Sequence, residues 1–525
     1  MLARGKSVLF STTMSGVAGA LILSASALAA DAADVADTDN ITVVGQKNEE
    51  ISVKPRGLAV SLGPEQFEAI NAINVEDLMK YAPNFFVRKR YIGDANGVPG
   101  FRGTHSTQSA RTLVMVDGFL LSNFLGNSFG FPPKWGVVGP GEVAQYDIVY
   151  GPYSSRYIGN SIGGIVSIST KSPDNGEGYV TAQGFMQPYS QYNTDETYFG
   201  YSVEAGFGWK QKDGPVGLRA SFRHFENEGQ PMQFRQLSNS GAASGTVVTG
   251  AVRDPNSIVP RPFFAADATD KNTQDQFRLR ADFDFGDWMV EALGVYWLTD
   301  SDETNPKSYL RDGAGNVVTS GAVNVDGTIY GVSALRFSIN KREELLTGIR
   351  VEGPILGWDT RTNVSKFWIL KDADRGATNY ANGTSNGAGI FTDQVDPNWI
   401  ALDFLAEHAY GNHNISIGAT ANRYETETDI FSTTAWRDIA NPTLTSNTAG
   451  KSRLVGAFFE DNIDLAENFS VAGGARIDFW KAYDGGIGTL TGMGFVEQQY
   501  ADRSESSVNG AVSATWEISP VWRRS

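Results

Sequence analysis

The 525-residue sequence contains no cysteine. That excludes disulfides, thiolate metal sites and cysteine nucleophiles together, and leaves stability to packing and backbone pairing. Histidine is scarce: His105, His224, His408 and His413 are all there is, too little for a zinc enzyme built on several His ligands. Positive charge is in deficit, with 43 Lys+Arg against 59 Asp+Glu and a net charge of -16. Phosphate recognition needs clustered Lys and Arg, so no nucleic-acid partner is expected. Beyond the N-terminus no run of ~18 apolar residues exists, so no helix there can span a bilayer and a membrane-embedded form must be a β-barrel. What the chain has in quantity is 58 Gly, 30 Phe, 19 Tyr and 11 Trp, against 20 Pro. That usage suits many strands joined by turns.

Arg4 and Lys6 precede an apolar, small-residue run that closes on Ala27-Leu28-Ala29. Basic start, apolar middle and A-x-A end predict a cleaved secretory signal over residues 1–29, favoured over a membrane anchor because Ser and Thr dilute the run. Residues 30–50 form a small, acidic tail without aromatics, expected to be disordered. Within it stands Ile41-Thr42-Val43-Val44. On pattern alone this β-branched run serves equally as the first strand of the next domain or as a strand added to another protein's sheet edge.

Residues 51–173 read as a small mixed α/β domain. A short helix is expected at Pro64–Ile70, with Pro and acids in its first turn, and a second at Val75–Tyr81, with Asn74 as cap. Short strands are expected at 112–118, 143–150 and 164–170. Through this segment run Tyr81-Ala-Pro83, Phe101-Arg102-Gly103, Val116-Asp117-Gly118, Tyr150-Gly151-Pro152, Tyr157-Ile-Gly159 and Gly163-Gly164-Ile-Val-Ser-Ile-Ser-Thr170-Lys171. In order and spacing this series resembles the plug domain of TonB-dependent outer-membrane receptors. The glycines need no functional role, since turns and close backbone approach account for them.

From residue 174 the pattern alternates with period two. Phe199, Tyr201, Val203, Ala205, Phe207 and Trp209 are separated by Gly, Ser or Glu, and Phe277–Phe285 and Phe469–Phe479 repeat the pattern. Tight turns at 212–214, 286–287, 356–357, 411–412 and 466–468 alternate with long polar connections at about 229–273, 301–342, 371–397, 427–451 and 483–505. Short turns on one side and long loops on the other are the habit of outer-membrane barrels. About twelve antiparallel strands follow: 178–187, 197–210, 215–228, 274–285, 288–300, 343–354, 358–370, 398–409, 413–426, 452–464, 469–482 and 506–518. Tyr198, Trp209, Trp288, Trp297, Trp358, Trp368, Trp480 and Trp516 lie where an interfacial girdle would form, although some suit ordinary strand positions.

The fold expected is thus mainly β: a transmembrane antiparallel β-barrel over 174–525, with the small α/β plug in its lumen. A lumen wide enough for a plug needs ~22 strands, and the resemblance implies the same, so the twelve-strand barrel is expected to be partial. The resemblance further implies that Ile41, Thr42, Val43 and Val44 are the TonB box, that the energy-transducing protein TonB is the partner, and that the tail lies in the periplasm.

A monomer is expected in outer-membrane lipid of a Gram-negative bacterium, importing a scarce small-molecule ligand such as a ferric siderophore. No enzymatic activity, metal site or cofactor is expected. Analogy with plug topology puts ligand on the apical loops 88–98, 104–110 and 121–137, through Arg88, Arg90, Tyr91, His105, Gln108, Phe124, Phe131 and Trp135. Arg88-Lys89-Arg90 also reads as a basic turn paired with barrel carboxylates, and His105 as an ordinary loop residue. His408 and His413 flank a tight turn, on the periplasmic rim. The competing readings are a passive pore, an adhesin or a non-functional receptor fragment.

Overall fold

The computed structural model describes residues 59–102, 107–151, 155–174, 176–254, 256, 258, 261–519 and 522–524. The signal segment, the acidic tail, Ile41–Val44 and His105 lie outside the described residues.

The plug is built on a five-stranded sheet in the order Ala59–Leu62, Val143–Tyr150, Gly164–Thr170, Thr112–Val116 and Phe119–Leu120. Val143–Tyr150 runs antiparallel to both its neighbours, whereas Thr112–Val116 and Gly164–Thr170 are parallel. The parallel pair is buried on both faces, which explains its unbroken apolar reading: Val114, Val116, Ile165, Val166 and Ile168 are all core residues. Asp117 (φ 48°) and Gly118 (φ 80°) turn the chain from Thr112–Val116 into Phe119–Leu120, the two positive φ values that suit a tight hairpin. Gly164 is needed for a different reason, since a β-carbon there would collide with the Phe101 ring.

The expected helices are shorter than their sequence patterns. One spans Pro64–Glu68, and the other is a 3₁₀ turn over Val75–Met79, where Asp77 Oδ2 accepts from the backbone N–H of Asn74 at 2.8 Å and of Ile73 at 3.0 Å.

Twelve long strands follow as successive antiparallel neighbours: Gly178–Gln191, Thr194–Lys210, Val216–Gly229, Asp270–Phe285, Trp288–Glu303, Phe337–Ile355, Trp358–Ala377, Asn398–Tyr410, His413–Thr433, Thr443–Ala466, Phe469–Thr491 and Arg503–Ser519. All twelve expected strands are present, and the five tight turns fall where the sequence placed them. Gly178–Gln191 pairs only with Thr194–Lys210, so among the described residues the sheet is not closed by a ladder between its end strands.

Phe199, Tyr201, Phe207 and Trp209 point outward and are exposed, while Ser202 and Glu204 are buried, Glu204 accepting from the plug at the N–H of Gly141. A greasy outer face around a polar interior is the lipid-facing arrangement. Tyr198 and Trp297 depart from the girdle expectation: both are buried on the inner face.

Several connections carry more structure than expected. Residues 427–451 and 483–505 are largely strand, because Thr443–Ala466 and Phe469–Thr491 extend far past the expected ends. A lipid-spanning strand needs only ~9–11 residues. Beyond the membrane both faces meet water, so the ladder goes on while the alternation stops. The segment 188–196 is likewise a hairpin, with Gln191 opposite Thr194. Finally, the connections after Gly229 and after Glu303 fold together into a small cap of short strands with its own core of Leu237, Phe264, Leu310, Val323 and Leu335.

Candidate functional site

The plug is fixed to the barrel wall by a buried polar seam, and acids of the plug face arginines of the wall. Arg219 Nε donates to Glu142 Oε2 at 2.8 Å, and its Nη2 to Oε1 at 3.2 Å. Arg278 Nη2 donates to Asp117 Oδ2 at 2.9 Å and to Thr170 Oγ1 at 2.5 Å. Asp117 is in turn fixed by Thr170, whose N–H donates to Oδ1 at 2.8 Å. Burial opposes the Asp117 charge, but Arg278, Arg280 and Thr170 overcome it and hold the carboxyl below its usual range. Arg223 Nη2 donates to the carbonyl of Ile73 at 2.8 Å. On the opposite wall, the N–H of Ser155 donates to Glu460 Oε1 at 2.6 Å. The sequence gives the inward arginines as polar positions of alternating strands, but not their partners.

Nearer the long-loop end, an aromatic ladder takes over. Trp399 stacks on Phe367 with centroids 4.3 Å apart and planes 2° from parallel, and on Tyr424 at 5.6 Å. Plug residues close both ends: Phe124 packs on Tyr424 at 5.8 Å, and the Lys134 ammonium lies 5.7 Å from the Phe367 centroid. Trp399 Nε1 donates to the carbonyl of Leu120 and Tyr424 Oη to that of Ser122, both at 3.3 Å. Lys134 also pairs with Glu344. Burial draws the Lys134 pKa below its ordinary value even against that carboxylate.

The residues expected to meet ligand fall into two groups. In the first, side chains are committed internally. Arg90 forks onto Asp94 with Nε–Oδ2 at 2.9 Å and Nη2–Oδ1 at 2.8 Å. Lys89 pairs with Asp77 at 2.5 Å and with Glu76 at 3.2 Å, so the basic turn neutralises plug acids rather than barrel ones. Tyr91 is 7% exposed and donates to Asp270 at the barrel wall. Burial, then the Asp270 charge, push its hydroxyl well above the ordinary tyrosine pKa. Trp135, 2% exposed, donates from Nε1 to the carbonyl of Gly97 at 2.6 Å and thereby ties two apical loops together.

In the second group the side chains are less enclosed, although the Gln108 amide oxygen itself is buried. Arg88 is exposed, and Gln108, Phe124 and Phe131 are half-buried. The N–H of Ala110 donates to Asn127 Oδ1 at 3.1 Å, joining the loop of Gln108 to that of Phe124 and Phe131. Phe129, 54% exposed, and Asn127 belong to this surface, and sequence reasoning passed over both. The signal was there in Gly126-Asn-Ser-Phe-Gly-Phe131, an aromatic flanked by small residues in a loop. His408 and His413 sit at the tight-turn end, bonded through Nδ1 to the carbonyl of Gly357 and to Asp461 Oδ2, each at 2.7 Å.

A plug sheet lodged against one antiparallel sheet of long strands is also what comparison with known proteins finds. The family model for the TonB-dependent receptor plug domain matches residues 56–165, and that for the TonB-dependent receptor-like β-barrel matches residues 296–523. The chain belongs to the TonB-dependent receptor family.

Solved receptors of similar fold include the ferric yersiniabactin uptake receptor of Yersinia pestis, with TM-score 0.57 and 13% identity over 89% of this chain and 63% of that one. The unliganded ferric citrate transporter FecA gives TM-score 0.56 and 13% identity over 89% of this chain and 61% of that one. The ferripyoverdine receptor of the Pseudomonas aeruginosa outer membrane gives 0.54 and 12% over 88% and 55%. This TonB-dependent receptor chain therefore spans less than two thirds of the length of these structures. No curated protein sequence matches it.

Proposed function

We propose that this protein is an outer-membrane import receptor that binds a ferric siderophore from outside the cell and passes it to the periplasm with energy drawn through TonB. The observation that carries the reading is the exposed pair Asn127 and Phe129, with half-buried Phe131 beside them, borne on a plug loop that the wall's aromatic ladder clasps through Phe124. Aromatic faces and amide groups suit a flat, ring-bearing chelate, and Arg88 at the neighbouring loop supplies positive charge for an anionic one. The three similar receptors carry ferric chelates by their descriptions. In this reading residues 1–29 direct export, Ile41–Val44 is the TonB box, and the tail stands in the periplasm.

Binding and uptake are measured separately, with a panel of ferric catecholate, hydroxamate and carboxylate chelates. Phe129→Ala is expected to weaken binding of one class at least tenfold, ~1.4 kcal/mol. Deleting Ile41–Val44 is expected to abolish uptake while leaving binding intact. Unchanged uptake after the deletion defeats the energy-coupled reading. Absence of binding to every chelate class defeats the siderophore assignment alone.

A further inference from the structure

Between the plug sheet and the barrel wall lies a cavity of about 90 Å³, separate from the apical surface. The plug contributes Leu113, Met115, Gly118 and Ser167, and the wall Arg350, Arg361, Asn363 and Asp403. Arg156 lines it as well, so three guanidinium groups and one carboxylate border the space. The space holds several waters or one small oxyanion.

The wall groups here are under-satisfied by protein. Arg350 is 2% exposed; its Nη2 is held by Glu291 at 2.6 Å, while its Nε faces Glu352 Oε1 at 3.4 Å as an ion pair without hydrogen-bond geometry. Arg361 Nε is buried and equally unmet, and the carboxylate it pairs with, Glu352, stands 4.0 Å from its Nη1. Asn363 is 6% exposed and its amide oxygen has no donor; turned over, the same amide offers its NH₂ group. Buried guanidinium groups cost several kcal/mol unless matched by acceptors, and their planar forks suit carboxylate and phosphate.

We propose that this cavity is an internal site for a small oxyanion of the phosphate or carboxylate class, held by Arg361 with Arg350 and Asn363. It is distinct from the apical ligand surface and does not depend on the cargo assigned there. The anion supplies Arg361 with the acceptor that Glu352, 4.0 Å away, is too distant to be, and it lies against the plug at Gly118.

The test uses the full chain purified in detergent, with inorganic phosphate and acetate as separate probes at fixed ionic strength, and the urea midpoint of plug unfolding as readout. A saturable rise in midpoint with either probe is expected in the native chain and is lost in Arg361→Met. Asn363→Asp places a carboxylate in the cavity, so it is expected to raise the midpoint without added anion and to abolish the response. No saturable rise in the native chain means that water alone fills the space. An equal rise in either variant means that the ion binds elsewhere. Both results overturn the proposal, and either variant suffices if the other does not fold.

Discussion

Trp399 lies flat between Phe367 and Tyr424, and its indole N–H reaches the plug at the carbonyl of Leu120. One wall residue thus anchors the strand edge from which the apical loop 121–137 departs. Trp399→Ala removes both stacks and the hydrogen bond, at a cost of about 3–5 kcal/mol for a buried large-to-small change. Hydrogen exchange at residues 120–124 is expected to accelerate by orders of magnitude while the outer strands keep their protection. Unchanged exchange there would mean that the ladder does not hold the loop.

The Arg219–Glu142 pair has side chains fully buried on both sides. Removing one partner leaves the other charge stranded, typically at 3–5 kcal/mol. Arg219→Met is expected to lower the urea midpoint of the plug steeply, and the double variant Arg219→Met/Glu142→Gln to recover part of the loss. Glu142 also meets Arg278 at 3.4 Å, which limits the recovery. If the double variant is less stable than the single one, the pair is not the source of the cost.

Asp117 gives the plug an acid dependence of known sign. Its folded-state pKa is lowered, so its stabilisation is complete above the ordinary carboxylate range and is lost as pH falls through the folded value. Pepsin cleavage of the plug is expected to set in as pH drops below ~4. Asp117→Asn flattens this onset and makes cleavage easier at every pH. An onset at the same pH and with the same steepness in the variant would assign the dependence to another carboxylate.

Gly164→Ala tests the close approach to Phe101. The added methyl group must displace the ring, and overpacking of this kind costs about 1–3 kcal/mol. The expected loss is partly restored by Phe101→Leu. If Gly164→Ala is neutral, backbone relaxation absorbs the methyl group and the glycine owes its place to something else.

The twelve strands and their tight turns were legible because lipid on one side and lumen on the other impose a period of two that nothing local can erase. The strand extensions were not, since Thr443–Ser452 sees water on both faces and reads as a polar loop. The cap was hidden for another reason: its strands are two to four residues long, too short for any period to show. At the site, Tyr91 and Phe129 look alike in sequence, each an aromatic in an apical loop. What separates them is a partner: Asp270 lies 179 residues away from Tyr91 and consumes its hydroxyl, whereas Phe129 is exposed. Chemistry was readable, and commitment was not.

The edge strand Ala59–Leu62 has its own mechanical meaning. It is where the described chain enters the plug, and it pairs with Val143–Tyr150 alone, over four residues. The Ser61 hydroxyl adds one bond to Asp147, at 2.5 Å. Traction arriving from the N-terminal side therefore loads this short ladder before it reaches the parallel pair, Glu142 or Asp117. The strand is a short tether, four residue pairs long, in series with a body pinned by the Arg219–Glu142 and Arg278–Asp117 pairs. A pull can detach the first and leave the second seated.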